Sequence, residues 1–499
     1  MMIGATGAGK TTLINGMINY ILGVEWEDDF RFVLIDEQTQ KFQAESQTSA
    51  ITAYEINHME GFKIPYSLTI VDTPGFGDTR GIKHDQRITG LIRDFFSQPG
   101  GIDHIDAICF VMQASLAHLT HTQRYIFDSI LSILGKDIAD KIVMLMTFAD
   151  GQKPPVLEAI KASQIPCSVD ENGEPIHFKF NNSALFVDHS RPSGANEDEF
   201  EYVNFDHMFW KIGTYSFKYF FKSLPSISPK SLVLTQEVLK ERQELEVAIE
   251  GLQPQINAGL TTMNEIKKIK YALEQHKAEM EANKDFEYEI DVTNPVLELN
   301  TSGMYLTNCQ NCNFTCHDSC EYANDKDKYK CCAMDRRGYC KVCPGNCVWN
   351  VHFNQKYKWM YVTTKEKRTY NELKQRFEEA HGEVMTTKNI FEQLEIEFSA
   401  VQEIVFELIQ KSHHCLKKLK VIALRPNPLS APDYIDLMIE SEKRECKPGF
   451  QDQIQSLMEV RQKAEIVLKM SSGDLLPKEW TQYGSRKVKG KGVFGTVKD

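Results

Sequence analysis

The chain has 499 residues, 42% of them hydrophobic and 25% charged, with 13 cysteines and a formal net charge of -12. A single core rarely grows past roughly 250 residues, so several domains are expected, and no run of about 18 uninterrupted apolar residues offers a membrane span. The negative balance speaks against a nucleic-acid backbone as the main partner; the one obvious basic patch is the tail from Arg486 to Lys498.

The first eleven residues contain Gly4-Ala5-Thr6-Gly7-Ala8-Gly9-Lys10-Thr11, which match GxxxxGK[ST] at every fixed position. Gly4, Gly7 and Gly9 let backbone N–H groups point at a β-phosphate, Lys10 reaches the β and γ oxygens, and Thr11 offers a hydroxyl to Mg2+. Thr12, counted with the nucleotide-binding positions, opens a helix expected to run to Leu22. Only Met1, Met2 and Ile3 precede the loop, too few for a signal peptide, which predicts a cytoplasmic protein. They are also fewer than the roughly five residues of an ordinary strand, so a truncated central strand and a less stable domain are expected.

From residue 31 to 187, apolar runs alternate with helix-like stretches, the pattern of an α/β fold with a doubly wound, mostly parallel sheet. Strands are expected at Phe32 to Ile35, Ser67 to Val71, Ile105 to Met112, Lys141 to Thr147 and Ala184 to Val187, and a helix at Thr120 to Leu134, ended by Gly135. The second of these strands leads into Val71-Asp72-Thr73-Pro74-Gly75, where Asp72 would hold Mg2+ through a water and the Gly75 N–H would sense a γ-phosphate. Between the two motifs lies ESQTSAIT (45 to 52), whose Thr48 is assigned to the Mg2+ shell, with Thr52 as the alternative. After the fourth strand comes Thr147-Phe148-Ala149-Asp150. The Asp150 carboxylate can accept from a guanine N1–H and exocyclic amine together, and Phe148, where a lysine stem is usual, can cover the purine face. Ser183 and Ala184 are placed to meet the base through backbone N–H groups.

Together, GATGAGKTTLIN, VDTPGFGDTRG, LTHTQ ahead of an apolar helix ending in LG, TFAD and NNSALF resemble the septin-like GTPases, closest to their immunity-associated, avirulence-induced branch, over roughly residues 1 to 190. The resemblance implies GTP or GDP with Mg2+ as ligands, dimerisation through the nucleotide face, and a switch or scaffold role near membranes. The chain departs from the family in its short first strand, in Phe148, and in having no hydrophobic anchoring tail. Lys10, Thr48 and Gly75 are the expected catalytic positions. Phe76 stands where a glutamine would orient the attacking water, so hydrolysis is expected to be slow and to depend on a second protomer, or on His84 or Arg80.

The nucleotide domain is expected to span 1–222, ending near Pro225 and Pro229. A helical, coiled-coil segment (230–290) follows, in which Leu245, Ile249, Leu252, Ile256, Met263, Ile266 and Leu273 hold a seam, with a kink or break expected at Gly251 and Pro254. A second, longer seam runs from Leu373 through Phe377, Leu394, Phe398 and Val405 to Leu408, predicting one helix over 364–424. The two helices can fold back on each other or pair with a second chain. A helical C-terminal segment (425–483) and a disordered basic tail (484–499) complete the chain.

Between the two seams, residues 300–356 hold nine of the 13 cysteines: Cys309, Cys312, Cys316, Cys320, Cys331, Cys332, Cys340, Cys343 and Cys347, with His317 and His352. In a cytosolic chain such a cluster predicts Zn2+ over disulfides, and the Cys-x2-Cys and Cys-x3-Cys steps give bites a tetrahedral ion accepts. Two four-coordinate sites are expected. The first draws on Cys309, Cys312, Cys316 and Cys320 or His317, the second on Cys340, Cys343, Cys347 and His352, with Cys331 or Cys332 joining either. Sites closed by four protein ligands leave no position for water, so the module is structural or a recognition surface.

The sequence thus reads as a GTP-binding switch or scaffold with a zinc-stabilised helical arm, working as a homodimer or with a protein partner through the nucleotide domain and the coil, without a specific nucleic-acid partner or transmembrane segment. Two other readings are a nucleotide-locked scaffold without turnover and an ATP-driven coiled-coil machine resembling the zinc-hook ATPases. Against the latter, every nucleotide motif precedes residue 190.

Overall fold

The structure, a computed structural model, describes every residue other than 37–49, 78–81, 99, 118, 120, 188–196, 283–286, 301–302, 383–385, 426–430, 446–449 and 477–499. Thr48, Arg80 and the basic tail lie outside the described residues. The chain divides into two compact units, Met1–Glu241 with Leu419–Gln462, and Arg242–Lys418 with Lys463–Asp499. Among the described residues, no helix is long and apolar enough to cross a membrane.

The first unit is built on a six-stranded sheet. In chain order its elements are β1 (Met2–Gly4), α1 (Lys10–Ile21), β2 (Thr52–Ile56), β3 (Leu68–Asp72), α2 (Ile82–Ser97), β4 (His104–Ile105), β5 (Ile108–Gln113), α3 (His121–Ser132), β6 (Ile142–Thr147), α4 (Val156–Ala162), β7 (His177–Lys179), α5 (Glu197–Ser223) and β8 (Lys230–Ser231). The sheet order is β2-β3-β1-β5-β6-β7, with only β2 antiparallel to its neighbour. Strands β5 (ICFVMQ) and β6 (IVMLMT) are buried almost throughout, which is why they lack polar alternation. The short β1 lies at the centre, between β3 and β5. Beyond it the Met1 ammonium donates to Ala107 O at 2.9 Å, and burial lowers its pKa.

Two expected strands are not strands. Residues 32–35 have no ladder partner among the described residues, and two buried asparagines of α1 satisfy their backbone: Asn15 Oδ1 accepts from Leu34 N and Ile35 N, at 2.9 and 3.0 Å, and Asn19 Nδ2 donates to Phe32 O at 2.7 Å. Residues 184–186 belong to a 3-10 turn, Asn182–Phe186, capped by Asn181, whose Oδ1 accepts from Ser183 N, and Val187 follows it without a ladder partner among the described residues. The last strand of the sheet is β7. The expected strand at 105–112 divides, since Ile105 pairs with Lys230 of β8.

The long helix α6 (Val233–Ala282) opens the second unit from Arg242 onward. It is continuous through Pro254, so the expected break does not occur. Gly251 is instead a site of close approach, where an added Cβ would stand 3.2 Å from Leu408 Cδ1 and 3.3 Å from Val342 Cγ1. Next come β9 (Glu287–Leu299), β10 (Tyr305–Cys309), β11 (Phe314–Cys320), β12 (His352–Phe353), β13 (Tyr357–Thr369), α7 (Tyr370–His381) and α8 (Thr387–Ile422). Strands β9 and β13 form a thirteen-pair antiparallel ribbon, so residues 287–290 and 364–369 are extended rather than helical. The expected single helix also divides, because Gly382 takes a left-handed conformation (φ 70°) that ends α7. Ile249, Leu252, Ile256, Met263 and Ile266 of α6 share one core with Leu373 and Phe377 of α7 and Leu394, Phe398, Val405 and Leu408 of α8. The two seams therefore bury each other within one chain.

The C-terminal helices α9 (Pro432–Glu445) and α10 (Phe450–Ser472) are shared out between the units. In the first, α9 packs on α3, Leu424 N donates to Leu134 O at 2.9 Å, and Arg461 forms a two-point ion pair with Asp436. In the second, Ile466, Val467 and Met470 enter the α6–α8 core.

Candidate functional site

The loop after β1 sits where the strand order reverses, the crevice in which doubly wound folds bind ligands. Gly7 and Gly9 have φ of 74° and 83°, so the backbone turns in a way side chains resist. Helix α1 follows with Gly9 as its N-cap, no side-chain cap and no acid in its first turn, leaving its first N–H groups to an anion. Lys10 is buried, its ammonium folded onto the loop's own Gly4 and Ala5 carbonyls at 3.2 and 3.0 Å. Thr11 and Thr12 are half-buried in the same turn.

Asp72 is buried at the end of β3, in register with Thr52 of β2. That places the second-choice hydroxyl beside the expected Mg2+ carboxylate. The segment after Asp72 runs against the phosphate loop, with Thr6 N donating to Phe76 O at 2.8 Å and Phe76 N to Gly4 O at 3.2 Å. A Cβ on Gly75 would lie 2.6 Å from both Thr6 Cα and Thr6 Oγ1, so only glycine fits. The Thr6 hydroxyl is buried with no hydrogen-bond partner among the described residues, an orphan polar atom in the loop meant for phosphate. With the uncapped α1 start and the Asp72 carboxylate, this donor set fits a triphosphate with Mg2+, which would supply the charge-neutralising electrophile for phosphoryl chemistry.

Three residues that hold this arrangement escaped the sequence reading. Asp85, one turn into α2, accepts from Gly77 N at 2.9 Å and so anchors the loop that follows β3. Gln113 Nε2 donates to Gly7 O at 3.2 Å. Asn181 Nδ2 donates to Ala149 O at 3.2 Å, joining the two base-side loops. Only Asp85 had a local signal, as an acid seven residues after the end of DTPGFGD. His84 is half-buried in the first turn of α2.

On the base side, Thr147 is buried and its hydroxyl donates to Ala8 O at 2.7 Å, tying β6 to the phosphate loop instead of facing a ligand. Phe148 is 58% exposed with φ 52°, its ring edge within reach of Gly9, whose Cβ position lies 3.6 Å away. The Asp150 carboxylate is exposed and accepts from Gln152 N at 2.8 Å. Ser183 N is taken by Asn181, and Ala184 is buried in the 3-10 turn. A left-handed non-glycine residue costs about 1–2 kcal/mol, more than the roughly 0.5–1 kcal/mol entropic penalty of glycine. Phe148→Gly is therefore expected to raise the thermal midpoint slightly; an ordinary loss of several degrees would show that the ring is held by packing.

The cysteine module forms a three-stranded sheet ordered β11-β10-β12. Because β10 pairs with both neighbours, the donors interleave across the two halves of the sequence. Cys309 and Cys312 meet Cys343 and Cys347; Cys316 meets Cys340, Cys343 and His352; and His317 meets Cys320 and Cys331, all ligand atoms in a group lying within 4.8 Å of one another. The expected division into an early and a late site is thereby corrected. Backbone N–H groups of Val342 and Cys343 point at Cys340 Sγ, and that of Cys347 at Cys343 Sγ, each at 3.4 Å, as donors that support thiolates. Hydrogen bonds from Cys316 pull the Cys340 thiol down to about 2, and those from Cys309 pull Cys343 down to about 5. Burial alone would lower His352, but Cys309, Cys340 and Cys343 outweigh it and raise the imidazole to about 12. Such a set, sharing protons among sulfurs and imidazoles, is one from which a divalent cation displaces protons. The described cysteines form no disulfide.

The fold and the loop define a P-loop nucleotide-binding domain followed by long helices, with a cysteine cluster able to hold metal. Residues 1–92 match the septin family model. Among solved structures, the chain is similar to Toc33 from Arabidopsis thaliana in complex with GDP and Mg2+ (14% identity, 43% of this chain and 83% of that one, TM-score 0.26). It is likewise similar to Toc33 with Mg2+ and GMPPNP (15% identity, the same shares, TM-score 0.25). A third similar structure is of the chloroplast translocon GTPases atToc33 and psToc159 (16% identity, 43% of this chain and 81% of that one, TM-score 0.28). No curated protein matches the chain.

Proposed function

We propose that the N-terminal domain binds GTP and GDP with Mg2+ and works as a switch or scaffold with slow or dimerisation-dependent hydrolysis, and that the cysteine module is a zinc-stabilised part of a helical arm that engages a protein partner. The observation that carries the nucleotide reading is the joining of base motif and phosphate loop: Thr147 bonds Ala8 O while the Asp150 carboxylate stays exposed beyond it. The septin match over residues 1–92 supports the same reading, and placement nearer the immunity-associated branch rests on the motifs alone.

Asp150→Asn is expected to weaken GTP binding roughly 10- to 100-fold, the worth of about 1.5–3 kcal/mol for hydrogen bonds to a charged acceptor, while leaving ATP binding unchanged. Equal losses for both nucleotides would remove Asp150 from the base site. Phe76 is buried, and its backbone is committed to Gly4 and Thr6. The domain thus offers no side chain there to orient water, which also favours the reading of a nucleotide-locked scaffold. Specific GTPase activity that rises with protein concentration is the result expected of dimer-dependent turnover. A constant specific activity sinks the dimer, and no turnover at any concentration leaves the locked scaffold.

A further inference from the structure

We propose that the cysteine module binds three zinc ions, two of them bridged by the Cys343 thiolate; this rests on the metal reading above. The first two donor groups share Cys343. Together they supply the sulfurs of Cys309, Cys312, Cys316, Cys340, Cys343 and Cys347 and one imidazole, His352. Two closed tetrahedral ions need eight ligand positions, and seven donors fill them only if one thiolate serves both. Cys343 is the residue placed to do so, because it alone is within 4.8 Å of every other donor of both groups.

The spacings suit this arrangement. A Zn–S bond of about 2.3 Å gives a tetrahedral S–S edge of roughly 3.8 Å. Cys312 Sγ and Cys347 Sγ are 3.6 Å apart in the first group, and Cys343 Sγ is 3.8 Å from His352 Nε2 in the second. The turn carrying Cys343 is shaped for close sulfurs, since a Cβ on Gly345 would stand 3.0 Å from both Cys312 Sγ and Cys347 Sγ.

The third ion takes the remaining donors. His317, Cys320 and Cys331 lie within 4.8 Å of one another, and Cys332 Sγ, 3.4 Å from His317 Nδ1, is the neighbouring thiol that would supply the fourth ligand. Beside it, the fully buried Lys328 donates to Leu306 O and Tyr322 O at 2.6 Å and approaches Cys320 Sγ at 3.6 Å. Its charge offsets the excess of three thiolates over one Zn2+. All nine cysteines and both histidines of the segment are thereby used, where the sequence reading left spares.

The test is native mass spectrometry of the full chain purified with zinc, joined to 113Cd NMR of the cadmium-substituted protein. Three ions per chain are expected, with three cadmium resonances, two of them split by coupling through a shared sulfur. Cys343→Ser should reduce the count from three to one, whereas Cys312→Ser and Cys320→Ser should each remove one. Two ions with no cadmium–cadmium coupling would overturn the bridge while leaving a metal-bound module. No bound metal would overturn the metal reading itself. If Cys343→Ser releases all three ions by unfolding the module, coupling in the unaltered protein decides the matter.

Discussion

Stripping metal from the protein with a strong chelator is expected to melt the segment from β10 to β12 while the nucleotide domain keeps its fold. The reason lies in what fills the module. Its buried cluster is mostly sulfur, with Cys309, Cys316, Cys320, Cys331, Cys340 and Cys343 accompanied by few larger apolar side chains such as Phe314, Met334 and Val342. A unit of some fifty residues cannot draw the stability it needs from so little apolar area and depends on a staple. Structural zinc supplies about 10–16 kcal/mol per site in small fingers, as much as the net stability of about 5–15 kcal/mol of a whole domain. Hydrogen exchange of residues 305–353 should therefore change from protected to unprotected on chelation and recover when zinc is returned. Protection that survives complete metal removal would mean that the sheet and its hydrogen-bonded thiols suffice.

Replacing Lys10 with methionine is expected to remove nucleotide binding at cellular concentrations. The ammonium is already buried over the loop and held by two carbonyls, so the ordering of its side chain is largely complete before a phosphate arrives. A charge pair about 4 Å apart, at the effective dielectric of about 20 typical near protein surfaces, is worth about 4 kcal/mol, close to a thousandfold in affinity. Methionine keeps the volume of the stem, so the thermal midpoint of the domain should move little. A large fall in stability with unchanged affinity would make Lys10 a structural residue of the loop.

What the sequence made legible, and what it hid, divide along physical lines. The phosphate loop and Asp72 could be read because their chemistry needs fixed residue types at short spacing. Strands β5 and β6 could be read because burial on both faces leaves an apolar run, and β3 because its last residues, Ile70 to Asp72, are buried as well. The seam residues Ile249 to Leu408 revealed their periodicity but not their partner, which is set by the tertiary fold. The segment 32–35 misled because its backbone is satisfied by Asn15 and Asn19, a side-chain substitute for a ladder that leaves no mark on propensity. The β9–β13 ribbon carries a signal, the alternation in EYEIDV and the aromatic and β-branched run in YKWMYVTT, but each borders a helical seam whose periodicity is stronger. In the cysteine module the ligand types were plain while their grouping was not, because β10 brings together residues that lie more than thirty positions apart, such as Cys312 and Cys347. Gln113 and Asn181 support the nucleotide site through hydrogen bonds that no spacing rule encodes.

The central claim is that this chain carries a guanine-selective P-loop site. Titration calorimetry of the purified full chain with GTP and with ATP, each with Mg2+, tests it most directly. Binding of GTP at least tenfold tighter than ATP, abolished by Lys10→Met, is the expected result; tighter binding of ATP, or no binding of either, would contradict it.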